Sequence, residues 1–587
     1  MYRYVALLCG ESDESAMVTA AIKSALLLQP GWREAWASKS ICVIHRPSGG
    51  MDAELLPNEN GVLLGRSFAR SSSRAPLDLS ELADRRWGSF VAFAQGRASD
   101  TCEIYRDPTG GLPCWHGQVG GASLFFCDIE DVRRWLPAKM CLDERFLRGF
   151  ALLPGLPRSI GGLENISQVR AAELVRLSRR GRESRFSWTP WRFAADRSIL
   201  TFDEGIALVR DAVLSTVTSL AYGRERLLHS IGGLDSSIVL GALRATSGAA
   251  LDIIAFNGFT DSAPGDERSY ARAAADRAGV TFVPIRLDAR RVNLDCLSRW
   301  SHQPSPVAFF DVTAPAADIY RLADEVGACS IWTGVGGDNV FFQLPHILPA
   351  IDLARTSSNP AEWLTVALDA ARYGGESLRH VLCAMTRERL LRTDVPNDLR
   401  DLFAPRARFP FLSPDVIAAG LPDGYLHPLL ETAADVGKAK QFHVWVSALL
   451  SLDHRDPWRP SQRSETPERV APLLAQPVVE ACLRVPAWLL VRGGVDRSMA
   501  RYAFRDLLPQ SVLRRTSKSN PNRLYADVTR ANMRLIRSTL LDGTLSRMGI
   551  LNRAAIEQKL RIDGMISCDI IDSALDLFSW EIWSSSW

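Results

Sequence analysis

Two regimes of hydrophobic and polar patterning divide this chain. Up to about residue 190, short apolar runs at 88–94, 101–105 and 123–126 alternate with turns rich in Gly, Pro and Asp, the pattern of strands joined by tight turns. Pro154, Pro157, Gly161 and Gly162 punctuate the end of this region. Beyond residue 200 the period lengthens. Residues 202–221 carry apolar side chains at helical spacing, with Asp203 and Glu204 near the start, as a helix N-terminus favours. A strand at 226–231, a helix at 236–245, a strand at 251–256, a helix at 268–278 and a strand at 281–287 follow. Strands alternating with helices predict a parallel α/β sheet. From about residue 345 the pattern is mostly helical, and the apolar stretch 444–452 suits a buried helix.

The length of 587 residues exceeds the roughly 250–300 that one core sustains, so at least two domains are expected. Their boundary falls at 190–200, after the Trp-containing stretch 187–192, giving domains 1–195 and 196–587. A net charge of +3 gives no electrostatic case for nucleic acid as a partner. The N-terminus has no signal-peptide pattern, and no apolar run reaches the ~18 residues of a membrane span. The 11 cysteines form no C-x-x-C pair. Cys102, Cys329 and Cys482 are expected to be reduced core thiols of a cytoplasmic protein.

The densest chemistry lies at His229-Ser230-Ile231-Gly232-Gly233-Leu234-Asp235-Ser236-Ser237, between a predicted strand and a predicted helix. Glycines let backbone approach a ligand closely. A helix start offers free N–H groups and partial positive charge, which suit phosphate, and Ser236 and Ser237 add hydroxyls. Asp235 would repel phosphate unless a Mg²⁺ ion lay between them. The plainer reading is a glycine turn with an Asp-Ser helix cap. A second segment, Ser330 to Phe341, reads as a strand ending in a glycine-rich loop that carries Asp338. Ligands bind beyond the carboxyl ends of parallel strands, so both loops could present Asp235 and Asp338 to one metal–nucleotide complex.

The first segment resembles the pyrophosphate loop S-G-G-x-D-S of N-type ATP pyrophosphatases, with Ile231 in place of its first Ser and Ser230 one position upstream. The second resembles the asparagine-synthetase signature S-G-E-G-x-D-E-x-F through Thr333, Gly334, Gly336, Asp338 and Phe341, with Val335 in place of its Glu. Gly265 to Arg268 and Tyr270, Arg469 to Leu474, Pro477 to Glu480 with Val485-Pro486, Gly493 to Arg501, Leu508-Pro509 and Arg515 to Lys518 resemble further family segments in the family order. The acidic pair Asp266-Glu267 also suits a simple helix cap, and the 469–486 residues read as packing. The resemblance implies ATP and Mg²⁺ as cofactors. Ser230, Gly232, Gly233, Asp235, Ser236, Ser237, Phe256, Gly334 and Gly336 would hold the nucleotide, Asp235 and Asp338 the metal. Asp338 and Lys518 would be catalytic, Lys518 stabilising negative charge that develops in the reaction.

In the first third, Arg106 to Pro113 and Phe125 to Ile129 resemble segments of class II glutamine amidotransferase domains. Working members carry a cysteine nucleophile directly after the initiator Met. Tyr2 stands there, and Cys9, on an apolar strand-like segment, is expected to be core. The expected fold is therefore α/β: an inactive glutaminase-like (Ntn-type) β-sandwich, then an asparagine synthetase-like ATP pyrophosphatase domain with a helical C-terminal part. A dead glutaminase and a second motif without its Glu resemble most the lasso-peptide cyclases, the macrolactam synthetases. That resemblance implies a ribosomal precursor peptide as substrate, with a leader-binding protein and a leader protease as partners. A small-molecule amide or β-lactam synthetase and an inactive ATP-binding scaffold are the alternatives.

Overall fold

The computed structural model describes residues 2–10, 12–48, 50–70, 78–96, 101–156, 158–178, 181–199, 201–260, 266–292, 294, 297, 303–306, 315–391, 409–430, 436–449, 467–516, 522–560 and 568–587. The chain is a mixed α/β structure with three sheets. One six-stranded antiparallel sheet contains β1 (Arg3–Leu8), β2 (Arg33–Ala37), β3 (Ile41–Arg46), β8 (Trp115–Val119), β9 (Ala122–Phe126) and β10 (Ser167–Gln168), in the order β10-β8-β9-β1-β3-β2. The other contains β4 (Asp52–Leu55), β5 (Gly61–Ala69), β6 (Arg86–Gln95), β7 (Cys102–Arg106), β11 (Glu173–Ser178) and β12 (Gly181–Phe186), ordered β12-β11-β7-β6-β5-β4.

Tyr4, Ala6 and Val43 of the first sheet and Val62, Leu64, Val91 and Phe93 of the second share one buried layer. Their neighbours Val5, Leu7, Leu63, Phe90 and Ala92 are buried on the opposite faces. Burial on both faces explains why a segment such as Phe90-Val91-Ala92-Phe93-Ala94 is continuously apolar instead of alternating.

The third sheet is wholly parallel: β13 (Arg226–Ser230), β14 (Asp252–Phe259), β15 (Thr281–Arg286), β16 (Ser330–Trp332) and β17 (Glu468–Val470), in the order β15-β14-β13-β16-β17. The chain builds outward from β13 to β15, then crosses back to lay β16 on the other side of β13. That reversal opens a crevice at the carboxyl ends of β13 and β16. Helix Phe202–Ala221 opens on a capping box between Thr201 and Glu204, which satisfies orphan N–H groups at both positions.

The units meet through buried polar joints. Arg70 pairs with Glu480 at 2.7 Å, and Trp188 Nε1 donates to the same carboxylate at 2.8 Å. Arg66 pairs with Glu468 on β17 at 3.0 Å. Trp191 Nε1 donates to the Leu429 carbonyl at 2.7 Å, so Trp188 and Trp191 form a buried seam. Trp580 and Trp583, on the last helix, pack against Phe150 and Phe146 of helix Glu144–Leu152.

Two cysteine expectations need correction. Cys9 is exposed, because β1 ends at Leu8, and Cys329 is exposed just before β16 begins. Cys102 and Cys482 are buried as expected. The apolar stretch at 444–452 is helical through 449: helix Lys438–Val444 widens into a π-helical turn, Trp445–Leu449. Among the described residues no helix is long and apolar enough to cross a membrane.

Candidate functional site

Strand β13 ends at Ser230, and Ile231 is held by its N–H to the Phe256 carbonyl (2.9 Å) and its carbonyl to Asn257 Nδ2 (2.7 Å). Phe256 thus supports the loop through its backbone, while its ring lies in the core with Leu228, Ala323 and Ile331. Helix Leu234–Ser247 starts at once, capped by Gly233 without a side-chain bond. The Asp-Ser cap reading is therefore corrected: Asp235 and Ser236 lie in the first turn. Ser236 Oγ accepts the Gly232 N–H at 3.1 Å, and Ser237 Oγ donates to the Gly233 carbonyl at 2.7 Å. A Cβ on Gly233 would meet nothing within 4 Å, so the helix start opens onto free space. His229 is buried and donates from Nε2 to the Ser236 carbonyl at 2.7 Å. Burial pushes its pKa down to about 4, which keeps it a neutral tie between strand and helix.

The second loop follows β16. Gly336 adopts φ +90°, and Gly337 starts the short helix Gly337–Val340 that carries Asp338. The two loops touch so closely that side chains are excluded. A Cβ on Gly334 would lie 2.3 Å from the Ser236 nitrogen, and one on Gly337 2.3 Å from Asp235 Cγ. From behind, Asn339 Nδ2 donates to the Val446 carbonyl in the π-helical turn (2.9 Å), and His443 Nε2 donates to the Val340 carbonyl (2.8 Å).

Asp235 and Asp338 converge on one point, filled by a third residue. Arg497 Nη1 donates to Asp235 Oδ2 at 2.7 Å and to Asp338 Oδ1 at 2.5 Å. Burial works against its charge, but Asp235, Asp338 and Asp496 outweigh that and raise its pKa. Its backbone is left-handed, φ 50° and ψ 33°, a conformation costing a non-glycine residue about 1–2 kcal/mol. Asp496 is held in turn by Arg501 at 2.9 Å. Arg515 pairs with Glu267 at 2.7 Å, reaches the Gly232 carbonyl at 3.3 Å and lies over the Tyr270 ring. Glu267 is thus an ion-pair partner beside the first loop, and its side chain makes no cap bond to the following helix.

The structure therefore brings together Gly232, Gly233, Asp235, Ser236, Ser237, Gly334, Gly336 and Asp338, with Ser230 at the strand end beneath them. Lys518 lies outside the described residues. The pattern gave no single signal for Arg497 and Arg515; both lie in stretches singled out only for resemblance. Among the described residues no cluster of three His, Cys, Asp or Glu could hold a metal. Mg²⁺ needs only one or two protein carboxylates plus phosphate oxygens, and a guanidinium nitrogen bonded to both carboxylates marks a position that suits a cation. The residues present fit a metal–nucleotide complex.

At the N-terminus, Tyr2 is 2% exposed and its hydroxyl meets His45 Nδ1 at 3.3 Å. Arg33 Nε donates to His45 Nε2 at 3.1 Å, so Nδ1 carries the ring proton. Burial, aided by Arg33, pushes the His45 pKa down to about 4, while burial raises that of the Tyr2 phenol. A neutral, packed phenol offers no nucleophile. Arg106 and Asp107 organise the neighbouring turn: Arg106 donates to the carbonyls of Gly110, Leu112 and Val169, and Asp107 accepts from the Phe90 and Thr109 N–H groups.

Residues 231–583 match the family model of asparagine synthase. No curated protein sequence matches the chain. Similar solved structures include the U34-tRNA thiolase NcsA from Methanococcus maripaludis with its [4Fe-4S] cluster, at 12% identity over 46% of this chain and 88% of that one, TM-score 0.22. An allosteric regulatory enzyme of purine biosynthesis aligns at 10% identity over 56% and 89%, TM-score 0.21. The glutamine phosphoribosylpyrophosphate amidotransferase from B. subtilis, complexed with ADP and GMP, aligns at 10% identity over 67% and 94%, TM-score 0.19. Overlaps this loose carry no weight for fold or function.

Proposed function

Because the chain belongs to the asparagine synthase family, whose members form amide bonds at the expense of ATP, we propose that it closes a macrolactam ring in a ribosomal precursor peptide. The observation that carries the ATP chemistry is the convergence of Asp235 and Asp338 on one cation position at the switch point of the parallel sheet. The choice of a ring over an ammonia-fed amide rests on two absences of chemistry. Val335, 42% exposed in the second loop, has no titratable group to deprotonate ammonia. Tyr2 offers no thiolate to release ammonia from glutamine.

In this reading Asp235 and Asp338 would hold magnesium, and the N–H groups at the start of helix Leu234–Ser247 would face the phosphates. Magnesium, when bound, neutralises phosphate charge and orients the leaving pyrophosphate. A carboxylate oxygen of a precursor Asp or Glu attacks the α-phosphorus of ATP, and the bond to pyrophosphate breaks. The precursor's N-terminal amine then attacks the acyl carbon, loses a proton to solvent and expels AMP. An α-amine of pKa about 8 is partly neutral at pH 7, so the enzyme's contribution is chiefly to hold amine and acyl carbon together. Lys518 would offset developing negative charge. A leader-binding protein and a leader protease would prepare the precursor.

The test is mass spectrometry of a leaderless precursor peptide incubated with enzyme, ATP and Mg²⁺. The expected product has lost one water, with AMP and pyrophosphate released, and Asp235→Asn or Asp338→Asn abolishes both. Pyrophosphate release with small amino-acid derivatives but an unchanged peptide would replace this reading with a small-molecule synthetase. ATP binding without turnover under any substrate would indicate a scaffold.

A further inference from the structure

We propose that Arg497 is a built-in cation that competes with the metal for the shared carboxylate position and gives it up only when nucleotide binds. The inference rests on the metal assignment to Asp235 and Asp338 above. One guanidinium nitrogen bonds both carboxylates, at 2.7 and 2.5 Å. A divalent ion taking those same oxygens would face this positive nitrogen at contact range, so metal and Arg497 compete for one seat. The side chain is 9% exposed, so water does little to screen that repulsion.

A second contact supplies the pivot. Arg497 also bonds Asp496 at 2.6 Å, and Asp496 is fixed by Arg501, which donates to the carbonyls of Leu513 and Arg515 as well. Arg497 can therefore release Asp235 and Asp338 while staying anchored on Asp496. A polyphosphate changes the balance by offering the displaced guanidinium a new anionic partner. The left-handed backbone at Arg497, φ 50°, fixes the direction in which the side chain leaves the chain and aims it into the site. Metal entry is thus conditional on nucleotide.

The probe is Mn²⁺ binding to the full-length protein, followed by electron paramagnetic resonance without nucleotide. Arg497→Gln removes the competing charge and is expected to bind Mn²⁺ about tenfold tighter than wild type, or more. Adding Asp338→Asn to that variant is expected to cancel the gain. Arg497→Lys keeps a cation at the position and is expected to keep Mn²⁺ out, a difference that loss of packing alone would not produce. Wild-type protein that binds Mn²⁺ without nucleotide as tightly as Arg497→Gln would overturn the exchange. If wild type holds Mn²⁺ through Asp338 in the presence of ATP while Arg497→Gln gains nothing, the exchange fails and the metal assignment stands. If no form binds Mn²⁺ with or without ATP, the assignment itself fails and takes the exchange with it.

Discussion

His443 shows how a residue distant in sequence from the candidate chemistry holds it in place. It is fully buried and donates to the Val340 carbonyl at the end of the Asp338 helix. Burial, reinforced by the charge of Lys440, pushes its pKa down to about 3, against about 6.5 in an unfolded chain. Between those values the unfolded state binds a proton that the folded state refuses. The contribution to stability is therefore complete above about pH 6.5 and is lost as pH falls. Buried Asp107 and Asp131, pushed up to about 6 and about 7 by burial, act in the opposite sense, so a difference between variants is the clean readout. His443→Gln keeps a donor without the titration. Wild type's lead in denaturant unfolding over this variant should shrink by about 2 kcal/mol between pH 8 and pH 5. A lead independent of pH would show that His443 titrates normally.

Two loops, individually ordinary glycine turns, become a site because they interpenetrate. Gly334→Ala must drive a methyl group against the Ser236 nitrogen, 2.3 Å away. The loops then separate, at a cost of about 1–3 kcal/mol, and the carboxylates move apart. Pyrophosphate release is expected to fall about 100-fold with the fold retained by circular dichroism. Gly233→Ala meets nothing within 4 Å and should leave the thermal midpoint near that of wild type. Equal stability loss in both variants would contradict the close approach. The strand–helix alternation around these loops was legible, since 202–221 and 268–278 form helices over those very residues. The ends were less so: helix Leu234–Ser247 begins two residues before the expected 236, because Gly233 caps it and not the Asp-Ser pair.

Across the whole molecule, the antiparallel sheets brace the parallel domain through Glu480 and Glu468. Glu480 sits within the stretch read as packing, yet it is the buried partner of Arg70, Trp188 and Gln476. Glu468 on β17 joins Arg66 to Arg224 and so ties the edge next to β16. Glu480→Ala leaves Arg70 and the Trp188 N–H facing an empty joint, costing about 3 kcal/mol. The expected result is a lowered thermal midpoint and faster proteolytic nicking between the N-terminal sheets and the rest. An unchanged midpoint and cleavage pattern would mean the joint contributes nothing.

Local periodicity and glycine placement are written in the chain itself, so the strand and helix alternation, the two strand-end loops and their carboxylates could be read directly. What meets across the sheet could not. Arg497 reaches Asp235 over 262 positions of sequence and Asp338 over 159, and no local period carries information about a partner that distant. The cation between the carboxylates, the Arg515–Glu267 pair over the first loop and the Glu480 joint were decided by tertiary packing alone. Charge pairing acts through space, whereas patterning acts only along the chain.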